Sequence, residues 1–478
     1  MFKYSKLSIL ALATAGMFSA CSKLDQDPQS SLSDKDAVTE ANARILANGM
    51  YSRMQALEYY GRDFMIVTDL GGIDMKITSQ NSNRFLSEFQ VMYAPLVAPQ
   101  TNTFLNAYRV VNQANVIINK LPETSNTSAI RGEAYFMRAL ANFDLARRYT
   151  RPYTNRGAVK AGLTAPNTGI ALVTESLDKP DTYKPKRSTL EETYAAIIAD
   201  LKVAQQKAPA GKSEGGAASI FKGNRDAATA LLTRAYLYKG DWKNVITEAN
   251  KLVDKYDLYE ASQVADIFNA DGATSEEIFS VRNTVNNGLG ANNFGYMYVP
   301  AANGGYGDIR LTDAFMALLD KKDARLGQVL VADNGANNYL MKFSGNKAQG
   351  QVGLVNVRVL RISEVLLNRA EAYAEDGNLV AAVADVNKLR AKRGLDPFVG
   401  VDKTAVLAEI SKQRRLELVG EGFGMTDLFR KNGTREIPDA NALKSKVVGP
   451  EDPYVAYPIP QTEMDTNPNM VQNPGYNK

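Results

Sequence analysis

Two segments of this chain repeat one helix-turn-helix template. In AATALLTRAYLYKGDWKNVITEANKLV (227–253), apolar residues recur at helical spacing on both sides of Gly240-Asp241. The glycine suits a left-handed helix end and the aspartate suits the cap of the next helix. ISEVLLNRAEAYAEDGNLVAAVADVNKLRAKRG (362–394) repeats the pattern around Gly377-Asn378, and aligning the two turns superposes Ala372-Tyr373 on Ala235-Tyr236. A small residue beside an aromatic ring lets paired helices approach closely, as in tetratricopeptide-type units. The turns are 137 residues apart, so the pairs do not form a tandem solenoid.

What separates them has another character. Residues 257–356 are rich in Gly and Asn (NTVNNGLGANNFGYMYVPAANGGYGD), with strand-like runs at EIFSVR (277–282) and NYLMKF (338–343). A long irregular insertion in a compact protein is more often a binding surface than an idle loop. Upstream, RSTLEETYAAIIADL (187–201) places Leu190, Tyr194, Ile197, Ile198 and Leu201 on one helix face, with Ser188 and Glu191 spaced as a capping box.

The N-terminus reads as an address. Lys3 and Lys6 precede an apolar stretch from Leu7 to Phe18, about twelve residues where a spanning helix needs roughly 20, so it reads as a cleaved export signal. Phe18-Ser19-Ala20-Cys21 resembles the lipobox of bacterial lipoproteins, with Phe18 where leucine is usual, and Cys21 is the only cysteine. A plain secretory signal would instead leave one free thiol. The resemblance implies acylation of Cys21, and acyl chains at ~0.8 kcal/mol per buried CH₂ would hold a water-soluble body on a membrane. Residues 1–20 then form the signal and 21–34, polar and Ser-rich, the tether. Loss of the signal removes two lysines and lowers the formal net charge from +4 to +2. Without a basic block, the chain carries no electrostatic footprint for nucleic acid.

Composition narrows the chemistry. There is no histidine in the chain, which removes Ser-His-Asp and Cys-His catalysis and the usual imidazole zinc site. Paired carboxylates survive that exclusion, and Asp69 and Asp74 beside Gly71-Gly72 are candidates for glycoside hydrolysis. Acidic residues in a turn are more often solvated or capping, so no catalytic residue is assigned. Oxygen-only calcium sites around Asp271 or Asp333 lack the EF-hand spacing. Incidental surface acids are the better reading, and no metal or cofactor is expected.

Several segments in order resemble one family. Leu24-Asp25 with Pro28 is followed by RGEAYFMRALANFDLARRYTRPY (131–153), GIALVTE (169–175), the helix 187–201, LLTRAYLYKGDW (231–242) and LRISEVLLNRAEAYAEDGN (360–378). QRRLELVGEGF (413–423) and YPIPQTEMDTNPNMVQNPGY (457–476) complete the series. Together they resemble the SusD/RagB nutrient-binding outer-membrane lipoproteins. Gln413, where that family commonly has glutamate, and Gly424-Met425-Thr426, where Arg and Trp are usual, are departures that bear on local packing.

The resemblance implies a mainly α, SusD-like fold over 35–478, with four tetratricopeptide-like helix pairs as scaffold and a loop-rich variable half with a few short strands. The scaffold falls at about 35–58, 104–150, 188–256 and 357–420; the ligand-side segments fall at about 59–103 and 257–356. The resemblance also implies a SusC-like TonB-dependent β-barrel transporter as partner and a glycan, less readily a peptide, as ligand. The two alternatives are a tetratricopeptide-type scaffold lipoprotein of the outer envelope and a surface glycosidase.

Sugar capture calls for aromatic faces with a few orienting amide and guanidinium groups. Trp242, the one tryptophan, stands at the start of a scaffold helix and reads as core, so stacking falls to the 23 tyrosines. YYGRDFMIVTDLGGIDMKITSQNSNRF (59–85) offers Tyr59, Tyr60, Asp69, Asn81, Asn83 and Arg84. NNFGYMYVPAANGGYGDIR (292–310) offers Tyr296, Tyr298, Tyr306, Asp308 and Arg310. Alternation on an extended strand would aim Tyr296 and Tyr298 to one side as a two-ring platform. About half of these tyrosines are expected merely to pack loops against the scaffold.

Overall fold

The computed structural model describes residues 38–77, 81–157, 168–176, 182–217, 219–345, 350–437 and 446–476. Cys21, the signal and the tether lie outside the described residues. Eleven helices carry the architecture: α1 (Ala43–Met54), α2 (Asp63–Leu70), α3 (Ala98–Lys120), α4 (Ser128–Tyr149), α5 (Leu190–Lys207), α6 (Arg225–Lys239), α7 (Trp242–Ala249), α8 (Ile362–Glu375), α9 (Leu379–Lys392), α10 (Lys403–Leu418) and α11 (Gly424–Arg430). They pack as the antiparallel neighbours α1 with α3, α4 with α5, α6 with α7 and α8 with α9, each pair leaning on the next. No helix among the described residues is long and apolar enough to cross a membrane.

Both hairpins form where the turn residues place them. Gly240 closes α6 at φ +77° and Gly377 closes α8 at φ +90°. The side chains of Asp241 and Asn378 then accept the N–H of Asn244 and Ala381 to start α7 and α9. The capping box of α5 sits one residue later than the sequence spacing predicts. Thr189 and Glu192 make the reciprocal bonds, while the Ser188 hydroxyl turns back to the Ile170 carbonyl at 2.8 Å. Trp242 is half-buried against the core and not enclosed by it.

Short two-stranded ribbons complete the fold. β1 (Met75–Ile77) pairs with β3 (Ile309–Leu311), β2 (Glu277–Val281) with β6 (Val357–Arg361), β4 (Val329–Ala332) with β5 (Asn337–Leu340), and β7 (Arg435–Ile437) with β8 (Lys446–Val448), all antiparallel. β2 lies within the run EIFSVR and β5 overlaps NYLMKF.

A buried charge cluster fastens the insertion to the scaffold. Arg361 reaches Glu276 and Glu417 at 2.8 and 2.7 Å and Glu421 at 2.8 Å. Arg393 takes Glu276 and Glu417 at 2.8 and 2.7 Å, and Lys342 takes Glu421 at 2.5 Å. Arg325 joins through Glu417 at 3.3 Å and brings Asp323 at 2.7 Å, so four cations face four carboxylates and burial leaves no charge in the cluster uncompensated. The guanidiniums of Arg393 and Arg361 outweigh burial and hold the Glu417 carboxyl well below its usual range. Gln413 joins this region, accepting from Arg325 at 2.8 Å and donating to Glu409 at 2.9 Å.

Candidate ligand-binding site

The two ligand-side segments, more than two hundred residues apart in sequence, meet across one ribbon. Pairing of Met75 with Leu311, Lys76 with Arg310 and Ile77 with Ile309 sets the end of the first segment beside the end of the second. Residues directly opposite in an antiparallel pair share a face, so the apolar pairs turn to the core and Lys76 and Arg310 turn away from it. Arg84, Tyr296, Tyr306 and Asp308 gather at this junction.

Their arrangement is specific. The Arg84 guanidinium pairs with the Asp308 carboxylate and lies 4.0 Å from the centroid of the Tyr306 ring. Tyr306 and Tyr296 rings meet edge-on at 4.8 Å and 68°, and the Tyr306 N–H donates to the Tyr296 carbonyl at 2.8 Å. Burial pushes the Asp308 carboxyl above its usual range, against the pull of Arg84, Arg62 and Arg310. Asn81 closes the preceding turn through its Oδ1 and Nδ2, which bond the Arg84 N–H and carbonyl at 2.5 and 3.0 Å. Asn83 is exposed in that turn at φ +63°. Tyr306 is 42% exposed and Tyr296 half-buried, so the cluster offers ring surface to solvent beside fixed polar groups.

The loop that presents these rings is seated by close backbone approach. Gly295 donates to the Gly353 carbonyl at 3.0 Å, and a Cβ on Gly295 would fall 1.8 Å from the Phe343 carbonyl oxygen. Only glycine fits there.

Four expectations for the site are overturned. Phe294–Met297 form a 3-10 turn, not an extended strand, so Tyr296 and Tyr298 do not share a side. Tyr298 is fully buried against Phe294 and Phe343, and its hydroxyl has no hydrogen-bond partner among the described residues. Tyr59 and Tyr60 are core residues whose hydroxyls both donate to Asp144 Oδ2, at 2.6 and 2.8 Å. Asp69 is buried with both oxygens engaged: Oδ2 accepts from Gly422 at 2.8 Å, and Oδ1 from Phe423 and Gly424 at 3.0 and 2.8 Å. It therefore ties α2 to the start of α11, and Gly424 fits because its backbone approaches this carboxylate.

Arg310 is 6% exposed; its guanidinium bonds Asn337 and lies 4.9 Å from the Tyr339 ring centroid, at the edge of the cluster. Arg62, which no sequence argument singled out, bonds Asn292 at 2.5 Å and lies 5.3 Å from the Phe85 ring centroid, linking the two segments a second time. Its only sequence signal is its place directly after Tyr59-Tyr60-Gly61.

The two acids weighed for glycoside hydrolysis line a separate cavity of about 250 Å³, together with Leu418, Phe423 and Lys431. Burial pushes the Asp69 carboxyl up to about 7. Asp74 is held by Arg415, whose Nε lies 3.0 and 3.1 Å from its two oxygens. Both carboxylates already have partners, and neither is positioned as a free acid facing a free base. Among the described residues, no group of three or more Asp, Glu or Cys side chains gathers as a metal site.

Comparison with known proteins decides the family. A family model described as "SusD family" matches residues 321–476, and a second, described as "Starch-binding associating with outer membrane", matches 24–237. This chain belongs to the SusD/RagB family. A SusD-like protein of Formosa agariphila is 22% identical over 542 residues, covering 99% of each chain. A solved SusD superfamily protein of Bacteroides thetaiotaomicron is 27% identical with a TM-score of 0.79, covering 91% of this chain and 100% of that one. Another, from Bacteroides vulgatus, is also 27% identical with a TM-score of 0.78, covering 92% and 100%. The SusD-like fold thus joins the four helix pairs to the loop-rich insertion in one known architecture.

Proposed function

We propose that this SusD-like chain is a surface lipoprotein that captures an oligosaccharide at the Tyr296–Tyr306–Arg84–Asp308 cluster and passes it to a SusC-like TonB-dependent β-barrel. The observation that carries this reading is the β1–β3 pairing, which brings two distant segments together around exposed tyrosine rings and fixed polar groups. Rings beside a guanidinium and a carboxylate suit a sugar, whose apolar face stacks while its hydroxyls take and give hydrogen bonds. The matched family description, starch-binding in association with the outer membrane, favours glycan over peptide.

Attachment in this reading is through acylated Cys21, and the helical scaffold faces the barrel. The engagement of Asp69 by three backbone N–H groups and of Asp74 by Arg415 favours binding over hydrolysis at that pair. Calorimetry on a soluble form, with residues 1–20 deleted and Cys21 replaced, against glycans and peptides tests the capture. Binding lost in Tyr306→Ala supports it, and unchanged affinity for every ligand bound overturns the assignment of this site. Co-purification in mild detergent tests the partner: a lipoprotein recovered without any β-barrel overturns the transport reading.

A further inference from the structure

Tyr306 is the one exposed aromatic side chain among the described residues. Every other tyrosine and phenylalanine described, and the tryptophan, is buried or half-buried. A sugar that arrives from solvent and stacks on an open ring therefore has a single ring to use.

That ring is already covered on one face. The Arg84 guanidinium lies over it, and the turn that carries Arg84 holds it there. Its two neighbours in the chain, Asn83 and Phe85, both stand at positive φ, +63° and +60°. Asparagine tolerates that conformation and phenylalanine is strained in it. Phe85 keeps it because its ring is buried beneath the Arg62 guanidinium, 5.3 Å from the centroid.

No second ring extends the surface. Tyr296 meets Tyr306 edge-on with 68° between the planes, so the contact covers a face of one ring and leaves no two parallel faces side by side. Consecutive sugars of an extended chain cannot lie flat on both. Tyr339, the next ring along, is packed under the loop: a Cβ on Gly307 would fall 2.9 Å from its Cε1.

The charges at this junction are matched. Arg84 pairs with Asp308, Arg62 with Asp63 at 2.6 Å, and Lys76 with Asp313 at 3.4 Å. Arg310 bonds Asn337, which in turn donates to Asp333. An anionic sugar that took Arg84 for itself would strip the Asp308 carboxylate, only 5% exposed, of its cation. Hydroxyl groups can use the donors and acceptors of the intact pair without separating it.

We propose that the cluster is a single-residue subsite, in which Tyr306 stacks one neutral sugar ring and Arg84 with Asp308 reads its hydroxyl edge. The ligand is then recognised at one residue, whatever the length of chain behind it. This rests on the reading that the chain captures glycan. The test is calorimetry of the soluble form against neutral ladders of malto-, cello-, xylo-, manno- and laminari-oligosaccharides, from disaccharide to hexasaccharide, and against an acidic ladder of oligogalacturonates. Wild type, Tyr306→Ala and Tyr306→Trp are compared. The expected result is binding to a neutral ladder with affinity rising less than about threefold along it, because a longer chain only repeats the residue that is read. Tyr306→Ala should weaken binding at least about tenfold and Tyr306→Trp, which keeps a flat face, should retain it, with the melting temperature unchanged in both.

A rise of about tenfold or more along the ladder means that several sugars are held, which overturns this inference and leaves glycan capture standing. Tighter binding of the oligogalacturonates overturns the neutral subsite. A flat ladder that survives Tyr306→Ala takes the subsite away from Tyr306 and overturns the inference. Binding to no oligosaccharide overturns both this inference and the capture reading.

Discussion

The Arg84 guanidinium rests 4.0 Å from the centroid of the Tyr306 ring while pairing with Asp308. The ring is thereby held in one orientation with 42% of the residue still open to solvent. Tyr306→Ala is expected to weaken ligand affinity at least about tenfold, or ~1.4 kcal/mol, with little change in melting temperature. Isothermal calorimetry and thermal denaturation of the same preparation separate the two effects.

Tyr298 should behave in the opposite way. Its ring is packed in the core and its hydroxyl is buried without a partner among the described residues. Tyr298→Phe removes an unsatisfied polar group and is expected to stabilise the fold by about 1 kcal/mol with affinity unchanged. Tyr298→Ala is expected to cost ~3–5 kcal/mol by leaving a cavity. Denaturant titration measures both.

Asp69 sets a pH dependence. Its folded carboxyl is raised to about 7 from an ordinary 3.8, chiefly by burial, and Asp63 rises likewise to about 6. The folded state therefore holds more protons than the unfolded one between these values, and stability falls as pH rises from about 4 to about 7. On the acid side, Glu417 and Glu421 are depressed, so their contribution is lost as pH falls below the ordinary carboxylate range. Maximal stability from these groups is expected near pH 4, where the two trends cross. Asp69→Asn should shrink the difference in melting temperature between pH 5 and pH 8, and an unchanged difference would assign the slope to other groups.

Arg361 anchors the buried cluster. Arg361→Met leaves Glu276, Glu417 and Glu421 with too few cations and is expected to cost ~3–5 kcal/mol. The loss is read in a urea titration.

Gly377 isolates a backbone effect. It lies at φ +90°, and a Cβ added there meets nothing within 4 Å. Gly377→Ala therefore reports the left-handed conformation alone, an expected cost of about 1–2 kcal/mol.

The scaffold was legible because its signals are local. Gly240-Asp241 and Gly377-Asn378 end and begin helices through their own φ angles and side chains, and EIFSVR needs only its composition to read as a strand. The cap of α5 shows the limit: Ser188 and Thr189 are chemically alike, and the strand-like segment at Ile170 takes the serine for itself. The candidate site was legible as two segments and not as residues. Tyr59 and Tyr60 look like exposed loop tyrosines until Asp144, on a distant helix, comes within hydrogen-bond reach. Tyr296 and Tyr298 look alternate until contacts with Gly353 and Phe343 curl their loop. Such long-range partners leave no mark on neighbouring sequence, and Arg62 went unnoticed for the same reason.

The buried charge cluster draws on residues from 276 to 421, so it cannot close on a chain that stops short of α10. An N-terminal fragment could contain every tyrosine of the cluster and still lack the clamp that holds their loop in place. During synthesis the surface around Tyr296 and Tyr306 is then completed late, once the chain through Glu421 has been made. A half-made molecule therefore has no finished surface around Tyr296 and Tyr306.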